Sequence, residues 1–97
     1  MTTINEIIAL AERAKNSSIK RIYCHHTAGL YQMNGVEKAH YHICIEGDGT
    51  VRINGELSDY KEHTWHRNGG AIGIALCCAY GATVYKNPER INWNGYP

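Results

Sequence analysis

Residues 71 to 78 read Ala71-Ile72-Gly73-Ile74-Ala75-Leu76-Cys77-Cys78, a run with no polar side chain. A run this short is a strand rather than a membrane span, and its unbroken apolar character marks a central strand buried on both faces. Such a strand needs a covering layer on each side. The chain is therefore expected to be α/β, with a mixed central sheet flanked by helices. At 97 residues it is read as one domain around one core, spanning residues 1 to 97.

The other elements follow from local pattern. Thr3-Ile4-Asn5-Glu6 fits a capping box, and Ile4, Ile7, Ile8, Ala11 and Ala14 recur at helical spacing until Asn16-Ser17-Ser18 closes the segment. Residues 19 to 25 alternate and are rich in β-branched and aromatic side chains, so they predict a strand carrying His25 near its carboxyl end. Residues 30 to 38 read as loop with at most one helical turn, Asn34-Gly35 being a turn signal. Tyr41-His42-Ile43-Cys44-Ile45-Glu46 and Thr50-Val51-Arg52-Ile53 flank Gly47-Asp48-Gly49 as a hairpin. Residues 54 to 70 are polar and irregular. Residues 86 to 97 form a polar tail with no helical or strand period.

Composition narrows function by exclusion. A formal net charge of +1 offers no electrostatic footprint for a nucleic acid or a membrane surface. The first residues have neither the basic region nor the apolar run of a secretory signal, so cytoplasmic synthesis is expected. The four cysteines, Cys24, Cys44, Cys77 and Cys78, have no Cys-x-x-Cys spacing and read as buried apolar side chains in a reducing compartment.

Six histidines fall in three pairs: His25 and His26, His40 and His42, His63 and His66. Neutral imidazole suits zinc, and an open catalytic zinc site takes three protein ligands and a water. None of the pairs has the i, i+4 helical spacing of a metalloprotease motif, so spacing alone leaves each a hydrogen-bonded structural residue.

Four blocks in order change that reading. They are Ile22-Tyr23-Cys24-His25-His26-Thr27-Ala28, then residues 41 to 51, then His63-Thr64, then Asn68-Gly69-Gly70-Ala71-Ile72-Gly73-Ile74-Ala75-Leu76. Together they resemble the N-acetylmuramoyl-L-alanine amidase type 2 family, which includes phage endolysins and the peptidoglycan recognition proteins. The likeness runs from about Ile19 to about Tyr80.

The resemblance implies a zinc-dependent hydrolase acting on the amide between N-acetylmuramic acid and L-alanine in peptidoglycan. His25 corresponds to the family's first zinc ligand. Tyr41 corresponds to its active-site tyrosine, which orients the attacking water or stabilises the oxyanion. His63 and Asn68 match positions lining the substrate groove, with His26 and Thr27 as further candidates for substrate contact. Strand alternation sets His42 and Cys44 on the face opposite Tyr41 and Ile43, as core or interlayer residues; His40 and His66 are left on the surface.

The family's other two zinc ligands, a histidine and then a cysteine or aspartate, follow a late helix often introduced by a Tyr-Pro pair like Tyr96-Pro97. The chain is thus expected to correspond to the amino-terminal part of the domain, without the C-terminal helix and the last ligand-bearing segment. Its alternative role is a non-catalytic peptidoglycan-binding module or inactive fragment. A sheet face left bare by the missing helix favours self-association. If phage-derived, the protein acts on the cell wall after release.

Overall fold

The computed structural model describes residues 4 to 64 and 68 to 81, and the backbone at 83, 84, 91 and 92. Thr3, His66 and the Tyr96-Pro97 pair lie outside the described residues. In chain order the elements are α1 (Ile4–Arg13), β1 (Arg21–His26), α2 (Gly35–His40), β2 (Ile43–Ile45), β3 (Val51–Ile53), β4 (Ala71–Leu76), β5 (Thr83–Val84) and β6 (Ile91–Asn92). This is a small α/β fold with a mixed four-stranded sheet in the order β1-β4-β2-β3. As expected of an unbroken apolar run, β4 is central, with β1 and β2 parallel to it on either side. β3 returns antiparallel to β2 through the expected hairpin, where Gly49 takes a φ of 89° and Thr50 N–H donates to Asp48 Oδ1.

Within β4 the residues alternate in size, and the alternation sorts them between the two faces. Ile72, Ile74 and Leu76 share one face with Ile43, Ile45, Val51 and Ile53. There Leu10, Ala14, Ile43, Leu57 and Ile72 form a buried cluster, so α1 is the layer over that face. At the β1 side the same face is open: Ile22 is 61% and Leu76 52% exposed. The opposite face carries only Ala71, Gly73 and Ala75 from β4, a floor of small residues between taller side chains of β1 and β2.

Several elements differ from expectation. The buried stripe of α1 runs through Leu10 and Ala14, while Ile4 (74%) and Ile8 (59%) are exposed and Ala11 is also on the outside. Leu10 and Ala14, one turn apart, both pack in the buried cluster with Ile43 and Ile72, so the helix turns that side to the sheet. Asn34 is not in a turn but at the N-cap of α2, its Oδ1 accepting from the amides of Val36 and Glu37, while Glu37 Oε2 accepts from Asn34 N–H. That capping box starts a six-residue helix in a region expected to be loop with at most one helical turn, and the helix runs past residue 38 to His40. In the expected polar tail, Ile91 and Asn92 pair antiparallel with Val84 and Thr83. All four cysteines are free, but Cys24 is exposed on the edge strand rather than buried.

The α1 stripe is directly testable. Leu10→Ala is expected to cost about 2–4 kcal/mol in urea unfolding, because a fully buried side chain leaves a cavity. Ile8→Ala should fall within about 0.5 kcal/mol of the parent. Equal losses would restore the expected stripe.

Candidate functional site

The floor of small residues on β4 explains where the histidines gather. In register, Tyr23 lies opposite Gly73, and His25 opposite Ala75, which in turn faces Cys44. Parallel partners share a face, so Tyr23 and His25 stand along one side of the floor. His63 enters from the 54 to 70 loop and lays its ring on Gly73. A Cβ at Gly73 would come within 2.7 Å of His63 Cγ, so only glycine leaves room for this ring. Five rings then gather around this floor. His63 lies 5.3 Å from His25, 5.8 Å from His42 and 6.2 Å from Tyr23, while Tyr41 lies 5.4 Å from His25.

Each ring is held differently. His42 is locked: its Nδ1 accepts from Gly73 N–H at 2.9 Å and its Nε2 donates to the Asp59 carbonyl at 2.7 Å. Both nitrogens are committed and the residue is 1% exposed, so it is a neutral structural histidine. The expectation of an interlayer residue holds for His42 and for fully buried Cys44, but not the claim that they face away from Tyr41. Tyr41 caps the end of α2 instead of opening β2, so strand alternation does not reach it, and it packs with Cys44, Ala75 and Cys77. Asn54 Nδ2 donates to the Tyr41 carbonyl at 2.9 Å and fixes the backbone there.

His25 and His63 are held by each other. Nε2 of His25 lies 3.2 Å from Nδ1 of His63, and the remaining nitrogen of His63, Nε2, is buried with no hydrogen-bond partner among the described residues. The backbone of His63 is clamped by Asn68, whose Oδ1 accepts from the amides of His63 (2.9 Å) and Thr64 (2.8 Å). Asn68 thus shapes the loop that presents His63.

The other expected site residues are elsewhere. His26 pairs with Leu76 on the opposite face of β1, so it turns away from His25. Thr27 Oγ1 accepts from Gly29 N–H and from Cys78 N–H, splicing the ends of β1 and β4 together. His40, expected on the surface, is half-buried and binds the Glu62 carbonyl through Nδ1, tying α2 to the loop that carries His63. Tyr23, Gly73 and His42 were not singled out from sequence as part of this cluster. The signal for Gly73 was present in the small-large alternation of residues 71 to 76.

Burial is the main cause that lowers the pKa of both His25 and His63; neighbouring imidazoles add to it, His26 for His25, and His25 and His42 for His63. A backbone interaction with Ala71 opposes the shift at His63. Burial, then Cys44 and Glu37, push the Tyr41 phenol up, so it remains a hydrogen-bond donor through neutral pH. The site therefore offers two neutral imidazoles and one protonated phenol.

As to metal, His25 and His63 are the nitrogen donors that meet. Among the described residues no group of three or more histidine, cysteine, aspartate or glutamate side chains converges. A separate groove of about 670 Å³, lined by Glu6, Arg13, Lys38, Arg52 and neighbours at the β3 edge, includes none of the histidines. Among the described residues no helix is long and apolar enough to cross a membrane. No family model, curated protein or solved structure matches the chain.

Two predictions follow from this packing. Gly73→Ala should lift His63 from its seat and cost about 1–3 kcal/mol in urea unfolding, as overpacking does. An unchanged midpoint would mean that the ring does not sit there. Because both histidines bind protons less readily in the folded than in the unfolded chain, the stability they contribute is complete above about pH 6.5 and is lost as pH falls through the lowered folded-state values. The fall in urea midpoint between about pH 7.5 and about pH 5.5 should shrink in the double variant His25→Gln/His63→Gln.

Proposed function

We propose that this protein is a zinc-dependent N-acetylmuramoyl-L-alanine amidase, acting on the bond between N-acetylmuramic acid and L-alanine in peptidoglycan, as its sequence resemblance implies. The observation that carries the reading is the meeting of His25 with Tyr41, ring centroids 5.4 Å apart, beside the carboxyl end of a parallel strand. Strand ends of that kind are where open α/β sheets bind ligands.

Each group has a separate task. His25, neutral because burial lowers its pKa, would hold the metal through an imidazole lone pair. Zinc, when bound, supplies Lewis acidity toward the scissile carbonyl and makes a water nucleophilic near neutral pH. Tyr41 keeps its proton and donates a hydrogen bond to the carbonyl oxygen as negative charge develops on it. Its position is set through the capped end of α2 and the Asn54 amide. Asn68 acts at one remove, by holding the loop of His63.

The test is cleavage of purified peptidoglycan or a muramoyl peptide by the zinc-supplemented protein. New L-alanine amino termini without new reducing sugars are expected. Binding of peptidoglycan with no such termini would replace the enzyme by a binding module. Tyr41→Phe should lower kcat about 100-fold with KM little changed, since the phenol contributes when charge develops. A Tyr41→Phe enzyme with parental kcat would remove the tyrosine from the chemistry.

A further inference from the structure

We propose that His63 is a metal ligand alongside His25, the two imidazoles forming one seat for a divalent transition-metal ion with His25 Nε2 and His63 Nδ1 as donors. The inference rests on the reading of His25 as a ligand and goes beyond it, because the resemblance assigns His63 to the substrate groove.

The separation of the two nitrogens is the first argument. At 3.2 Å they stand nearly as far apart as two corners of a zinc tetrahedron, about 3.4 Å for metal–nitrogen bonds of about 2.0–2.1 Å. A hydrogen bond between two neutral imidazoles also fits this distance, and with either a bond or an ion between them His63 Nε2 stays buried without a partner among the described residues. With its hydrogen on Nε2, His63 directs the Nδ1 lone pair at His25, which is the tautomer a metal requires.

The second argument is the contrast with His42. Three imidazoles crowd the Gly73 floor, yet protein groups occupy both nitrogens of His42 and remove it as a donor. The pair left over is His25 and His63. Neither reaches the other by chance of a mobile side chain. His25 is set by the register of β1, while the ring of His63 rests on Gly73 and its amide is clamped by Asn68. A donor pair fixed by its supporting shell is the arrangement that metal sites need. The remaining coordination positions are open to water or to a carbonyl oxygen of substrate.

The experiment uses the full chain with Cu2+ alone, the strongest binder among the divalent first-row ions, and pulsed electron paramagnetic resonance to count coordinated imidazoles. Zn2+ alone is titrated by calorimetry in parallel. The expected result is a two-imidazole spectrum, reduced to one imidazole in His63→Phe, which keeps a ring on Gly73. Zinc affinity should fall on the order of 100-fold in that variant, because the second ligand otherwise binds intramolecularly. His26→Gln should leave both readouts unchanged.

A one-imidazole spectrum in the parent protein overturns the proposal, and that measurement needs no variant to fold. Parental zinc affinity in folded His63→Phe also overturns it, as does loss of the second imidazole in His26→Gln. Amide cleavage is measured separately on the same zinc-loaded protein. Two imidazoles without cleavage uphold the paired site and remove the amidase, while cleavage with one imidazole upholds the amidase and removes His63 as a ligand.

Discussion

The bond between the Gly73 amide and the imidazole of His42 is the constraint on which the site depends. Gly73 is the midpoint of the central strand, and His42 lies just before β2, opposite it. The backbone N–H of His42 donates to the Gly73 carbonyl, its carbonyl accepts from Asn54 N–H, and its Nε2 donates to Asp59. One residue thus joins the centre of the sheet, the end of the hairpin and the loop that follows. Removing its ring would leave a buried strand amide without a partner, at a cost of about 1–3 kcal/mol.

That segment is polar, and its described residues, 54 to 64 and 68 to 70, lack regular structure, yet it presents His63 in a defined place. Its backbone is caught by side chains from more ordered parts: Asp59 by His42 and Glu62 by His40. Asn68 Oδ1 then binds the His63 and Thr64 amides from within. Arg13 of α1 reaches Glu56 at 2.9 Å, an exposed pair that adds little energy but lies on the same segment. The segment is held largely by polar contacts, and among its described residues Leu57 is the one in the core cluster.

Much of the sheet was legible in the sequence because apolar runs and glycine turns are local signals. The apolar run gave β4 its central place, and Gly47-Asp48-Gly49 marked the hairpin between β2 and β3. The helices were less legible. Leu10 competes with three isoleucines for the core, and which side wins depends on packing against Ile43 and Ile72 across the chain. His25 stands out in the sequence through its block, whereas its meeting with His63 across 38 positions comes from strand register and loop closure. Strand alternation misjudged Tyr41 because the strand starts two residues later than the pattern suggests. The helix α2, capped at its start by Asn34 and Glu37, runs to His40 and makes Tyr41 its C-cap.

The four free thiols differ in access: Cys44 and Cys77 are buried, Cys78 is half-buried and Cys24 is exposed. Cys44 and Cys77 are buried against Ala75, and burial together with nearby Cys44, Glu37 and Glu46 pushes Cys77 up to about 12. At neutral pH its thiolate then amounts to about one part in 10⁵, whereas Cys24 stands exposed on the edge strand. An alkylating reagent therefore meets a silent pair inside the sheet and an open thiol on its rim. The chain carries its own clock for opening: modification of Cys44 and Cys77 records each excursion in which the face bearing the imidazoles comes apart.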